Sequence, residues 1–182
     1  DMNEKEQLEL LHFFASRFRE EYEGLPLYRT SEPNQYFVHN TWFESVDGEI
    51  LYCMIRHLKP ARIFEIGSGY STLLSAQTIL KNKDEDDHYE CELVAIDPYP
   101  NKILKTGFPG LSRLIIGQVQ DIHVSEFEKL GENDILFVDS SHVLRIGGDV
   151  QYEYLEILPR LREGVVIHAH DIFLPAEYPK EW

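Results

Sequence analysis

An acid and two glycines stand close together in the run Arg62-Ile63-Phe64-Glu65-Ile66-Gly67-Ser68-Gly69-Tyr70-Ser71-Thr72, where a short apolar strand passes through a glycine turn into a helical pattern. The glycines let the backbone turn tightly, and the start of the following helix carries free N–H groups, so the run reads as a cradle for a small molecule. Glu65 decides its character: a carboxylate two residues before the first glycine repels a phosphate and suits a ligand with a cationic end. Asp97 closes a second apolar run, where nucleoside-binding α/β folds place a carboxylate that accepts hydrogen bonds from both ribose hydroxyls. Gln120 and Asp121, after a third run, offer acceptors for the amino group of an adenine, although Asp121 serves equally well to cap a turn.

Two further runs end in Asp139-Ser140-Ser141-His142 and His170-Asp171. Carboxylates and imidazoles gathered at one edge are costly unless they are paired or bound to a cation. Asp139, His170 and Asp171 therefore form a candidate divalent metal site, magnesium or manganese rather than zinc because no thiolate joins them. Simple hydrogen bonding between Asp139 and His170 is the competing reading. The imidazole of His142 is a type of group suited to take a proton from a hydroxyl, or else it is an ordinary surface histidine. His168 lies deeper on the same strand and reads as a core histidine. Ser140 and Ser141 lack the glycine elbow and acid-histidine relay of a hydrolase.

The elements that must position these residues follow from periodicity. Strands are expected at Ile63–Ile66, Leu93–Ile96, Leu111–Ile116, Asp134–Val138 and Val165–Ala169, with helices at 71–80 and 148–161 and a short one started by the capping-box form Ser125-Glu126-Phe127-Glu128. In the 148–161 helix Val150, Tyr154, Ile157, Leu158 and Leu161 are expected to face the sheet, and Pro159 to tighten the last turn. Strands alternating with helices predict an α/β fold, a Rossmann-like, mostly parallel sheet flanked by helices. Before it, a polar helix over 4–22 with Leu8, Leu11, Phe14, Ala15 and Phe18 on one face reads as a cover, followed by an ordered loop to Phe43. In that loop Tyr36, Asn40 and Trp42 either touch a ligand or fill gaps. A helix from about Ser45 to Leu58 then stops at Pro60. The expected division is a cover over 1–44 and a binding unit over 45–182, one domain overall.

Seventeen basic and thirty-two acidic residues give a net charge of −15, which argues against partners such as nucleic acid or an anionic membrane and leaves small molecules. The run Asp84-Glu85-Asp86-Asp87 is expected on a solvated loop. Cys53 and Cys91 make no disulfide framework, so a reducing, cytoplasmic setting is expected. The first residue is not methionine, which suggests a processed product or a cut piece.

The form acid-x-Gly-x-Gly at Glu65 to Gly69 resembles the first motif of the class I S-adenosylmethionine-dependent methyltransferases. A dinucleotide site fits less well, since Thr72 stands where its third glycine belongs. The resemblance implies S-adenosylmethionine as cofactor, with its amino group and sulfonium as the cationic end. Glu65, Gly67, Ser68, Gly69, Tyr70, Ser71 and Thr72 would then hold the methionine end, Asp97 the ribose, and Gln120 or Asp121 the adenine. Asp139 and the pair His170-Asp171 also resemble the metal sites of catechol-type O-methyltransferases and their sugar and antibiotic relatives. His170 departs from the usual acid there and favours manganese, iron or zinc over magnesium. His142 falls where the catechol-type enzymes carry a catalytic lysine.

Three longer phrases look like a bacterial methyltransferase-like group, a resemblance covering roughly Asp47 to Trp182: Ile55-Arg56-His57-Leu58-Lys59-Pro60, Phe137 to Val143, and His168-Ala169-His170-Asp171-Ile172-Phe173-Leu174-Pro175. The implied activity is methyl transfer to a small-molecule hydroxyl, with Asp139, His170 and Asp171 orienting the acceptor and His142 deprotonating it. A non-catalytic cofactor-binding or interaction module of the same fold is the alternative. The superfamily sheet gains two strands after the fifth, whereas eleven residues follow Asp171, so either the piece is truncated or the sheet closes differently. An open edge on the fifth strand would invite a second copy of the chain.

Overall fold

A computed structural model describes residues 2–173 together with Ala176 and Lys180, so Leu174 and Pro175 of the last phrase lie outside the described residues. Its centre is a sheet of five strands, β1 (Arg62–Ile66), β2 (Glu92–Asp97), β3 (Arg113–Ile116), β4 (Ile135–Val138) and β5 (Val166–Ala169), all parallel and ordered β3-β2-β1-β4-β5. The chain runs outward from β1 to β3 and returns to lay β4 on the other side of β1. That reversal opens a crevice beyond the carboxyl ends of β1 and β4, where ligands collect in sheets of this kind.

Alternation along the strands builds two cores. Ile63, Leu93, Ile135 and Phe137 face one side, and Phe64, Ile66, Val94, Ile96, Leu136 and Val138 face the other. On the first side pack α1 (Glu4–Arg17), α2 (Arg19–Glu23), α3 (Asp47–Leu58) and α4 (Tyr70–Glu85). On the second pack the 3₁₀ turns Val119–Asp121 and Val124–Lys129 and a helical segment that is α at Asp149–Tyr152 (α6), π at Glu153–Ile157 and 3₁₀ at Leu158–Arg160. A one-turn helix, α5 (Lys102–Thr106), follows β2. No helix among the described residues is long and apolar enough to cross a membrane.

Several details depart from the periodicity. The first helix breaks at Phe18, and of its expected apolar face only Phe14 and Phe18 are buried, while Leu8, Leu11 and Ala15 are exposed. The helix meets the body only toward its C-terminal end, where Phe13 and Phe14 pack against His57. Tyr36 and Asn40 face inward rather than toward a ligand: the Tyr36 hydroxyl donates to the Phe43 carbonyl at 2.8 Å, and the Asn40 side chain closes the turn onto the Phe43 N–H and carbonyl. Trp42 is exposed. Helix α4 runs on to Glu85, so the acidic run begins in its last turn and only Asp86 and Asp87 leave it. The Ser125 box does not form, because the His123 ring takes the Ser125 N–H and caps that turn.

In the last helical segment Tyr154 is exposed and Glu153 is buried, the reverse of a regular helix with Tyr154 on the sheet. Pro159 has no N–H for the carbonyl four residues back, and the segment before it widens into a π turn, with Glu153 and Ile157 on its buried side.

Arg56 ties the cover to the sheet domain. Its buried guanidinium reaches Glu21 of α2 at 2.7 Å and Glu85 of α4 at 2.6 Å, and also bonds the Asn82 side chain. Removing one partner from a buried ion network leaves charge unpaired, so Arg56→Ala should lower stability in urea by about 3 kcal/mol. It should also speed proteolysis of residues 4–23 ahead of the rest; an unchanged midpoint would refute the anchoring role.

Candidate active site

The crevice holds a cleft of about 410 Å³ whose lining includes Gly67, Ser68, Asp97, Gln120, Asp139 and Ser140. Gly67 makes it possible. Its φ is +90°, and a Cβ there would stand 2.1 Å from the Asp139 carbonyl oxygen, so a side chain would force β1 and β4 apart at their ends. The Gly67 N–H bonds the Ile96 carbonyl at 2.9 Å and the Asp139 N–H bonds the Ile66 carbonyl at 2.8 Å, which draws β2, β1 and β4 together at the mouth.

Asp97 opens onto this cleft. One of its oxygens accepts the Tyr99 N–H at 2.6 Å and the other accepts the Ser68 hydroxyl, which orients the carboxylate and leaves lone pairs for further donors. Gln120 lines the same cleft and gives its amide N–H to Gln118 at 2.9 Å, while its buried side-chain oxygen has no hydrogen-bond partner among the described residues. A buried acceptor left in that state costs free energy that a donor in the cleft would recover. Asp121 is exposed and does not line the cleft.

The rest of the glycine motif divides differently from the sequence expectation. Glu65 is 1% exposed and lies beneath α4 instead of in the open cleft. It accepts the Ser71 hydroxyl through one oxygen, and its other oxygen is buried with no partner among the described residues. Burial pushes its carboxyl up to about 8, against the hydrogen bonds of Ser71 and Thr72 and with the help of the Asp139 and Asp97 charges. At neutral pH Glu65 therefore holds a proton. Ser71 and Thr72 are buried supports, and Thr72 Oγ1 accepts the Gly69 N–H at 2.9 Å. That N–H, expected to be free, is taken. Gly69 and Tyr70 instead line a neighbouring cleft of about 340 Å³ with Arg29, Phe37 and Lys102.

At the cleft's other side the ends of β4 and β5 bring four polar groups together. Asp139 Oδ1 lies 3.2 Å from His142 Nε2 and 3.3 Å from His170 Nδ1, and Asp171 Oδ2 lies 3.5 Å from His170 Nδ1 and 3.8 Å from His142 Nε2. Asp139, His142 and Asp171 place one ligating atom each within 4.8 Å of the others. The metal set expected from the sequence was Asp139, His170 and Asp171 with His142 beside it as the base; here His142, in place of His170, completes the set of ligating atoms. His142 and Asp171 reach it from left-handed backbone, at φ 56° and 55°.

His170 is buried, with its ring 5.1 Å from that of Phe43 and its Nε2 3.7 Å from Asp47 at the start of α3. Burial lowers its proton affinity, but the hydrogen bond and charge of Asp139, with Asp171 and Asp47 behind, outweigh it and raise the pKa. Burial likewise pushes Asp139 up, and His170 and His142 pull it below the usual carboxylate range. The cluster thus favours an aspartate paired with an imidazolium. His168 packs its ring 4.6 Å from that of Phe137, and burial with the neighbouring His170 pushes it down to about 4, which keeps it neutral.

Asp47 and Glu153 had no sequence signal. Asp47 reaches the site from the start of a helix far back in the chain, and Glu153 lies one turn before the buried Ile157.

Residues 64–172 match the family described as "Methyltransferase domain". A protein of Archaeoglobus fulgidus, called uncharacterized, is 36% identical over 141 residues, which cover 74% of this chain and 60% of the relative; the chain therefore spans about three-fifths of that relative's length. A Plasmodium falciparum structure assigned as a protein-L-isoaspartate O-methyltransferase, in complex with S-adenosyl-L-homocysteine, superposes with a TM-score of 0.42 at 14% identity, over 76% of this chain and 66% of that one. A likeness that slight has no bearing on activity.

Proposed function

The chain belongs to the methyltransferase-domain family, and from that membership and the cleft we propose that it binds S-adenosylmethionine and transfers the methyl group to a small-molecule hydroxyl. The observation that carries the reading is one cleft that takes in Gly67, Asp97, Gln120 and Asp139 together. Asp97, already oriented by Ser68 and the Tyr99 N–H, would accept the ribose hydroxyls. The unpartnered Gln120 oxygen fits a donor such as the adenine amino group. Glu65 would act from below: brought near an ammonium or sulfonium, its carboxyl would favour the ionised form that burial alone disfavours. The bound cofactor supplies a methyl group on a positively charged sulfur.

On the acceptor side, His142 and Asp139 would hold the hydroxyl and draw off its proton, so that catalysis is chiefly orientation for in-line displacement. The donor set of two carboxylates with His142, and His170 bordering it, also fits a divalent ion such as manganese. Such an ion would lower the acceptor's pKa. Asp139 and His142 would then serve as its ligands, while His170 would keep the Asp139 carboxylate oriented.

Isothermal titration with S-adenosylhomocysteine tests the first half. Saturable binding is expected, weakened about tenfold by Asp97→Ala, equal to about 1.4 kcal/mol. No heat of binding with the wild-type chain would sink the proposal.

A further inference from the structure

We infer that Glu153 is a positioning residue: from behind the cleft it takes the proton of the Ser140 hydroxyl in a hydrogen bond and so fixes Ser140 as an acceptor toward the occupant. Glu153 is 1% exposed, one of its carboxyl oxygens accepts the Ser140 hydroxyl at 3.0 Å, and the other is buried with no partner among the described residues. Its neighbours in the segment, Ile157 and Leu158, belong to the apolar core on that side of the sheet. A carboxyl in such a place costs stability, since a buried polar atom is left unsatisfied and an apolar side chain of similar size would carry no such penalty. Packing alone therefore does not account for Glu153.

Its partner does. Ser140 and Ser141 follow Asp139 directly, and each is held by an acid of one helical turn, Ser140 by Glu153 and Ser141 by Asp149. Asp149 takes both the hydroxyl and the N–H of Ser141, at 2.7 and 2.9 Å, and Ser141 is exposed. These bonds pin the strand-to-helix loop at Ser140 and at the residue after it, and Ser140 lines the cleft beside Asp97 and Asp139. A serine hydroxyl has one proton and two lone pairs. When the Glu153 carboxylate holds that proton, only the lone pairs can face inward, so Ser140 selects an O–H or N–H donor on whatever fills the cleft.

On the proposed function that donor belongs to the cofactor, and the inference rests on that reading to this extent. Three variants, Glu153→Leu, Glu153→Gln and Ser140→Ala, separate positioning from packing when ligand-free melting, S-adenosylhomocysteine affinity and amide hydrogen exchange of residues 139–142 are measured together. Glu153→Leu should melt at or above the wild type, yet bind severalfold more weakly and exchange faster across 139–142. Ser140→Ala should weaken binding by the same factor, the double variant no further, and Glu153→Gln, which keeps an acceptor oxygen, should stay near wild type. A Glu153→Leu protein with wild-type affinity and wild-type loop exchange overturns the inference. So does a fall in melting temperature for both Glu153 variants without a local change in exchange. If the wild type itself binds no S-adenosylhomocysteine, the proposed function fails, and the exchange comparison still decides the positioning role.

Discussion

Glu65→Gln should make the ligand-free protein more stable at pH 8.5 while leaving it unchanged near pH 4.5. In the folded chain the Glu65 carboxyl titrates at about 8 against an ordinary value of 4.5, because burial under α4 penalises the charge. Between those values the folded state binds the proton that the unfolded state has lost, so stability declines as pH rises through that window and the loss is complete above it. A shift of this size corresponds to something on the order of 4 kcal/mol. Glutamine keeps an oxygen for the Ser71 hydroxyl and cannot ionise.

Urea unfolding at several pH values should therefore show a steep decline in the wild type and a much shallower one in the variant. The remaining slope would combine Glu153, which burial pushes up to about 7, and the raised His170, both losing stability as pH rises, with His168, pushed down to about 4, which acts in the opposite sense. Parallel pH profiles for the two proteins would show that Glu65 is not protonated in the folded state. On the proposed function the same substitution should weaken cofactor binding, since the amide offers no charge to a cationic ligand.

Gly67→Ala should unfold the site. Two costs add: a non-glycine residue at φ +90° is strained, and its Cβ would meet the Asp139 carbonyl oxygen at 2.1 Å, a backbone atom that no side-chain rotation can move. Relief requires β1 and β4 to separate where Asp139 gives its N–H to Ile66. The expected loss is about 4 kcal/mol or more, enough to abolish cooperative unfolding in a domain of ordinary stability. Gly69→Ala is the control. Its φ of 176° suits any residue and nothing lies within 4 Å of a built Cβ, so its midpoint in urea should move little. Equal midpoints for the two alanine variants would mean that the close approach of the strand ends is not needed for folding.

The strands were legible in the sequence because a parallel sheet covered on both faces needs short apolar runs, and three of the runs deliver a polar residue, Asp97, Asp139 or His170, to the carboxyl edge. That rule alone placed Gly67, Asp97, Asp139 and the His170-Asp171 pair on one rim, and the family motif agreed with it. What it did not determine was which of those groups open to solvent. Alternation assigns Glu65 to a face, but only the packing of α4 over that face removes it from the cleft and changes its charge.

His142 was legible beside Asp139, but its approach to Asp171 depends on a left-handed backbone turn, and Asp47 joins from a helix start nearly a hundred residues earlier; neither has a periodic signature. Glu153 faces inward four residues before Ile157, a place that helical spacing allows and that its polar type kept from being read as buried. Period and composition are short-range properties, sufficient to specify strands, helices and their order. Burial, proton affinity and the meeting of side chains from residues 47 to 171 depend on which elements lie against each other, and only the folded sheet decided that.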